Sequence, residues 1–380
     1  MNMFPMKAKT AGIIAVMTII GLLSPSLSFA AAKFSYGAWI PYWKKAAAIP
    51  EAVLHIDSLR VISPFSYEVR PNGTIYDAMK LGSESWLSLM EIAGSKDIKV
   101  VPTFSWQDGT AIYAILSSST ARQAHVNAIL SLVDENDFDG VDIDYENKTA
   151  ETNASFSKFL TELSKEMHTR DKALSCTIEP RTPPTSRFVK VPKTLEYAND
   201  FKVLNRVCDE VRIMAYGQGR IDLKLNKTKS VNGALYSPVA DKAWVEKVIN
   251  EALRTISRNK IVLGLANFGY RYEITKDDGV VSYNNVQSLT YADALALASS
   301  TNSSFVRNNA GEIGFTYSTS TVLSASTSTA GIATSTYFVT LSDAKAIQGN
   351  VAFAKKYKLK GVMLFKIDGE SDPALWNVLK

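Results

Sequence analysis

Near the middle of the chain lies the run Asp139-Gly140-Val141-Asp142-Ile143-Asp144-Tyr145-Glu146, and it limits the fold more than any other segment. Acidic residues alternate there with Val, Ile and Tyr, and period-two alternation among β-branched and aromatic residues predicts a strand. On a strand, Asp142, Asp144 and Glu146 share one face while Val141, Ile143 and Tyr145 occupy the other. Alternate residues stand roughly 6.6 Å apart, so neighbouring carboxylates feel one another's charge. Such a face repels itself and is costly to desolvate, which stability alone does not explain. An acidic edge strand facing solvent is the plain alternative. A calcium loop is another, but its glycine follows the aspartates, whereas Gly140 precedes two of them.

Short apolar strands alternate with helical stretches elsewhere, the pattern of βα units around a parallel sheet. Strands are predicted at Tyr36–Trp43, Leu59–Phe65, Ile98–Phe104, Phe138–Glu146, Ala173–Ile178, Glu210–Tyr216, Lys260–Phe268 and Lys360–Phe365. Helices are predicted at Ser83–Ala93, Thr120–Val133, Asn153–His168 and Trp244–Arg258, the third marked by Phe156, Phe159, Leu160 and Leu163 at helical spacing. Eight strands with intervening helices give a TIM (β/α)8 barrel, whose active sites lie at the C-terminal ends of the strands. Glu146 ends its strand there. Residues 271–340 exceed one helix and carry strand-like segments, so they predict a small α+β insertion after the seventh strand. Within it Ser318–Thr336, rich in Ser, Thr and Ala, predicts a flexible hairpin or loop. The barrel is expected to fill residues 31–380.

The first thirty residues read differently. Lys7 and Lys9 precede an apolar run from Ala11 to Leu23, and Ser28-Phe29-Ala30 supplies small residues at a cleavage point. This is the pattern of a secretory signal peptide, so a secreted or cell-envelope protein without a later membrane span is expected. The net charge is +5, of which Lys7 and Lys9 supply two, with no basic block, so nucleic acid is not an expected partner. Cys176 and Cys208 make no disulfide framework; a bridge is conceivable, with buried free thiols the preferred reading. His55, His125 and His168 show no metal-ligand spacing, so neither a metal nor another cofactor is expected. A monomer is the expected state.

The acidic run resembles the D-G-x-D-x-D-x-E signature of glycoside hydrolase family 18, the chitinase family, at every fixed position. The likeness extends to Ile213–Tyr216, similar to the family's M-x-Y-D segment, to Lys260–Tyr272, and to Gly361–Phe365, similar to its G-V-M-x-W strand. Leu341–Phe365 looks nearest to the spore-cortex and peptidoglycan-lytic N-acetylglucosaminidase branch. Two positions depart from the pattern. Gly217 replaces the aspartate after the tyrosine, with Gln218 next as a substitute amide, and Phe365 replaces the tryptophan that floors the pocket.

The resemblance implies a retaining glycosidase that cleaves β-1,4 bonds next to N-acetylglucosamine, in peptidoglycan or chitin, with the substrate's acetamide as nucleophile. It implies Glu146 as general acid, Asp144 as orienter of the acetamide, Asp142 as its proton-sharing partner, and Tyr216 as donor to the acetamide carbonyl. Trp43, Trp106 and Phe365, which follow or end inward strands, read either as platforms for sugar rings or as core and rim packing, and Met214 as wall packing beneath the pocket. Glu179, two residues before Arg181, reads either as a contact to sugar hydroxyls or as half of a surface ion pair. A silent chitinase-like lectin is the rival reading, favoured only by Gly217 and Phe365.

Overall fold

In the computed structural model, residue 1 and residues 34–230, 235–277, 280–323 and 331–380 are described. Apart from Met1, the expected signal segment lies outside them. The strands are β1 (Ser35–Pro41), β2 (Val61–Val69), β3 (Ile75–Asp77), β4 (Lys99–Val100), β5 (Thr103–Trp106), β6 (Gly140–Tyr145), β7 (Ala173–Ile178), β8 (Glu210–Ile213), β9 (Ile261–Ala266), β10 (Gly269–Asp277), β11 (Val280–Leu289), β12 (Val306–Arg307), β13 (Ile313–Leu323), β14 (Gly331–Leu341) and β15 (Gly361–Phe365). The helices are α1 (Lys45–Leu54), α2 (Glu84–Ser95), α3 (Gly109–Ser117), α4 (Ser119–Asn136), α5 (Asn153–His168), α6 (Pro184–Arg187), α7 (Phe201–Val207), α8 (Leu223–Lys229), α9 (Lys242–Leu253), α10 (Tyr291–Ser300), α11 (Ala344–Lys356) and α12 (Leu375–Val378).

Parallel pairing runs β1-β2-β5-β6-β7-β8-β9-β15 and returns to β1, closing the TIM barrel, with β4 prolonging the third stave and β3 folded back on β2. Closure sorts side chains by parity. Val141, Ile143 and Tyr145 point outward into the apolar layer beneath the helices, where they meet residues such as Val126, Phe159 and Leu163. Asp142 and Asp144 point inward and are buried. Asn153–His168 is the helix its periodicity predicts, and Phe156, Phe159, Leu160 and Leu163 form its buried face.

β8 is shorter than expected. After Ile213 the chain kinks, with Ala215 N–H donating to Ile213 O at 2.7 Å and Tyr216 N–H to Met214 O at 2.8 Å, γ-type bonds that end ladder pairing. The insertion is a five-stranded sheet ordered β11-β10-β14-β13-β12, with α10 packed on it. It begins at Gly269, where a Cβ would meet Thr340 O at 2.2 Å. Of the two readings of the Ser/Thr-rich stretch, its described residues fit the hairpin: β13 and β14 pair antiparallel in register from Ile313↔Leu341 to Leu323↔Gly331, since threonine and valine suit a pleated surface. Fully buried Glu312 ties this sheet to the barrel, accepting from Val239 N–H (3.0 Å), Ala240 N–H (2.7 Å) and the Thr340 hydroxyl (2.7 Å). No helix among the described residues is long and apolar enough to cross a membrane.

Cys176 and Cys208 are both buried, as expected, but they are bridged rather than free, with Cα atoms 6.1 Å apart. Cys176 faces outward from β7, and Cys208 leads from α7 into the neighbouring β8, so parallel pairing brings them together. The bridge closes a 32-residue separation. Replacing both cysteines by alanine is expected to lower the unfolding free energy by about 2–4 kcal/mol, read from denaturant midpoints. A midpoint indifferent to the substitution and to reductant contradicts this.

Candidate active site

The acidic row climbs the barrel axis and changes environment at each step. Asp142, lowest, is fully buried and fully partnered. Its Oδ2 accepts from Trp39 Nε1 (3.1 Å) and Thr103 Oγ1 (2.9 Å), and its Oδ1 from Thr177 Oγ1 (2.8 Å). Arg212 Nη1 lies 3.3 Å from Oδ2 and also donates to Ser63 Oγ at 2.8 Å. The guanidinium continues to Glu210 (3.1 Å), which Lys360 reaches from outside at 3.1 Å. Burial pushes the Glu210 carboxyl up, but Arg212 and Lys360 outweigh it and hold the group below its ordinary range.

Asp144, one step up, is buried, and its Oδ1 has no hydrogen-bond partner. Burial first, then the charges of Glu146, Asp142 and Glu179, hold its carboxyl well above the usual range.

Glu146 stands half-buried at the rim, its Oε1 accepting from Gln107 Nε2 at 3.2 Å. Burial raises its pKa and the charge of Glu179 raises it further, against the lowering effects of Lys148 and the Gln107 bond.

Asp144 and Glu146 open into a cleft of about 500 Å³. Phe365 lines its floor, with the Tyr216 ring stacked on it at 5.7 Å between centroids and Trp39 edge-on at 5.9 Å. Burial and the nearby Asp144 and Glu146 charges keep the Tyr216 hydroxyl protonated, well above its ordinary pKa. Met214 lines the wall and Trp43, 46% exposed, the lip. Tyr42 and Glu68 close one side; the hydrogen bond to Glu68, with burial, pushes the Tyr42 hydroxyl up to about 12. A connected depression of about 470 Å³ shares Trp43, Phe268, Tyr270 and Phe365 and extends the groove along the insertion.

Three expected contacts fall elsewhere. Trp106 is in register with Tyr145, not with Asp144, so it points outward and packs against His125 and Tyr145 in the helix layer. Gln218 is fully buried outside the cleft, its Oε1 accepting from Asp241 N–H (2.7 Å) and its Nε2 donating to Tyr236 Oη (3.2 Å), where it anchors the start of α9. Gly217 makes that turn at φ +78°, a left-handed conformation that an aspartate adopts only with strain. Glu179 does not pair with Arg181: it accepts from Asn147 N–H (3.2 Å) and Asn199 Nδ2 (2.9 Å), while Arg181 stacks between Tyr197 and Phe201. Trp39, Thr177 and Lys148 belong to the site although sequence reasoning passed over them. The period-two parity of β1 was the available signal for Trp39; nothing local marks Lys148.

A family model described as glycosyl hydrolases family 18 matches residues 39–370. The uncharacterized glycosylase YvbX of Bacillus subtilis (strain 168) is 19% identical over 277 residues, 72% of this chain and 70% of that protein. The spore cortex-lytic enzyme SleL of Bacillus megaterium QM B1551 superposes with a TM-score of 0.66 at 19% identity, over 91% of this chain and 73% of that one. A chitinase from Chromobacterium violaceum ATCC 12472 superposes at 0.68 with 17% identity, over 91% and 98%. At these identities the structural likeness speaks for the fold.

Because an adjacent anion holds the Glu146 proton on, neutralising that anion must release it at lower pH. Glu179→Gln is therefore expected to move the Glu146 titration downward, as read by NMR of 13C-labelled carboxyls. An unmoved or rising titration overturns the assignment of Glu179 as the neighbouring charge.

Proposed function

The chain belongs to the glycosyl hydrolases family 18, and on that premise we propose that it cleaves β-1,4 linkages next to N-acetylglucosamine with retention, through attack by the substrate's own acetamide. The observation that carries this reading is the buried, unpartnered Oδ1 of Asp144 inside a cleft floored by Phe365 and Tyr216. A buried acceptor that the protein leaves without a donor is costly unless a ligand N–H or a water completes it.

In this mechanism Asp144 accepts the acetamide N–H and Tyr216 donates its hydroxyl to the acetamide carbonyl, aiming that oxygen at the anomeric carbon. The carbonyl oxygen forms the new bond to the anomeric carbon as the glycosidic bond breaks. Glu146 delivers its proton to the departing oxygen, a role its raised pKa supports. The cyclic oxazolinium carries positive charge on nitrogen, which Asp144 offsets. Water then attacks the anomeric carbon, yields a proton to the Glu146 carboxylate, and reopens the ring with the original configuration. Asp142, held by Arg212 and three neutral donors, anchors the lower end of the row beneath Asp144.

Peptidoglycan or chitin is the proposed polymer, in keeping with relatives named as a spore cortex-lytic enzyme and a chitinase. The basic start, apolar run and small-residue site of residues 1–30 and the Cys176–Cys208 bridge both favour secretion, since disulfides persist in oxidising compartments.

Glu146→Gln is expected to cut hydrolysis of a chromogenic chitobioside by roughly 10²–10⁴-fold, the usual contribution of a general acid. Parent-like turnover by that variant rejects the mechanism. Tyr216→Phe removes one positioned donor and is expected to cost roughly 10²-fold in kcat. Tight oligosaccharide binding by the unsubstituted protein, with no reducing ends released at any pH, replaces the hydrolase reading with a lectin.

A further inference from the structure

A second cavity, of about 450 Å³, lies beside Glu146 and is separate from the cleft. Its lining includes Lys148, Glu179, Arg181, Arg187, Glu196 and Asn199. Lys148 follows Glu146 by two residues, and Glu179, whose charge acts on Glu146, lines the second cavity. Three cations therefore face two carboxylates.

Lys148 is the unusual group. Its side chain is fully buried, yet Nζ makes no hydrogen bond. The nearest carboxylate oxygen, Glu179 Oε2, stands 3.9 Å away, and the ammonium otherwise sits over the Phe156 ring at 4.6 Å from its centroid. Glu179 is already engaged by Asn147 N–H and Asn199 Nδ2, so it compensates Lys148 only at long range. A buried ammonium without an acceptor is expensive, and packing alone would favour methionine there. Asn199 Oδ1, lining the same cavity, is likewise buried without a partner. The space thus holds an orphan donor of positive charge and an orphan acceptor. Exposed Arg187 stands at its edge, in a segment that also carries the exposed Lys190 and Lys193.

We propose that this cavity is an anion subsite that takes a carboxylate of the substrate, with Lys148 and Arg187 as its cationic contacts, and that it directs the enzyme to acidic amino-sugar polymers over neutral chitin. The proposal rests on the function given above and adds the substrate class. In peptidoglycan the carboxylate has two sources, the lactyl group of a muramyl sugar that carries no peptide and the carboxylates of a stem peptide where one is attached.

The test separates them. Soluble glycan strands are prepared with and without stem peptides, each in native and in carboxyl-methylamidated form, and their Kd for the full-length Glu146→Gln protein is measured by calorimetry. Native strands are expected to bind about tenfold more tightly than methylamidated ones, the scale of one hydrogen bond to a charged group. A preference kept by peptide-free strands assigns the lactyl carboxylate; a preference confined to peptide-bearing strands assigns the stem peptide. Adding Arg187→Gln or Lys148→Met is expected to bring the ratio toward one. Arg187 is exposed, so its substitution gives a reading of the subsite that does not depend on how the buried Lys148 position repacks. Equal binding of native and methylamidated strands, or a ratio unchanged in both variants, overturns the subsite. Hydrolysis of the same strands by the unsubstituted protein reports separately on the glycosidase reading, so loss of one leaves the other standing.

Discussion

The fold is organised around one buried charge, the carboxylate of Asp142 at the barrel axis. A lone carboxylate in that position would be prohibitive, and what makes it tolerable is its set of partners from around the barrel wall. Trp39 comes from β1, Thr103 from β5, Thr177 from β7 and Arg212 from β8. Arg212 in turn spans to Ser63 on β2 and Glu210 on its own strand. These contacts exist only when the staves close in their observed register. Barrel closure and the solvation of Asp142 are therefore one event.

Depth then divides three similar carboxyl groups into different chemical species. Asp142 accepts from three neutral donors and lies against Arg212. Asp144 shares its low-dielectric surroundings but has one oxygen without a protein donor, and desolvation first, then the neighbouring carboxylates, raise its proton affinity. Glu146, half-buried, exchanges with the cleft while Glu179 and burial keep its proton affinity raised. The gradient runs from a carboxyl held by protein donors, through an incompletely partnered one, to a half-buried one at the rim, within a single strand. Carboxylates whose environments drive their pKa values apart are the usual basis for assigning acid and partner roles.

The surroundings of the row also account for the two departures from the family pattern. At Gly217 the backbone turns left-handed and carries Gln218 inward to hold Asp241 and Tyr236. That turn sets the path into α9, and Glu312 clamps the same segment to the inserted sheet. Phe365 keeps an aromatic floor by stacking on Tyr216, and Phe268 and Tyr270 carry the aromatic lining onto the insertion.

Much of this was legible in the chain. Short-range periodicity depends only on neighbouring residues, so the acidic strand, the α5 helix and the eight-stave order could be read directly, and the acidic row announced its chemistry. Features set by how one stave meets the next could not. The register β5–β6 turns Trp106 away from the cleft that its position at a strand end suggested. Proximity of β7 to the α7–β8 turn bridged two cysteines that burial statistics favoured leaving free. The bare ammonium of Lys148 and the burial of Gln218 arise from groups tens of residues away. By itself, then, the sequence determined which residue types lie on each face of each element, because side-chain direction repeats locally. Only the tertiary structure decided which of them meet and which are left without partners, because hydrogen-bond satisfaction and desolvation depend on what distant segments bring alongside.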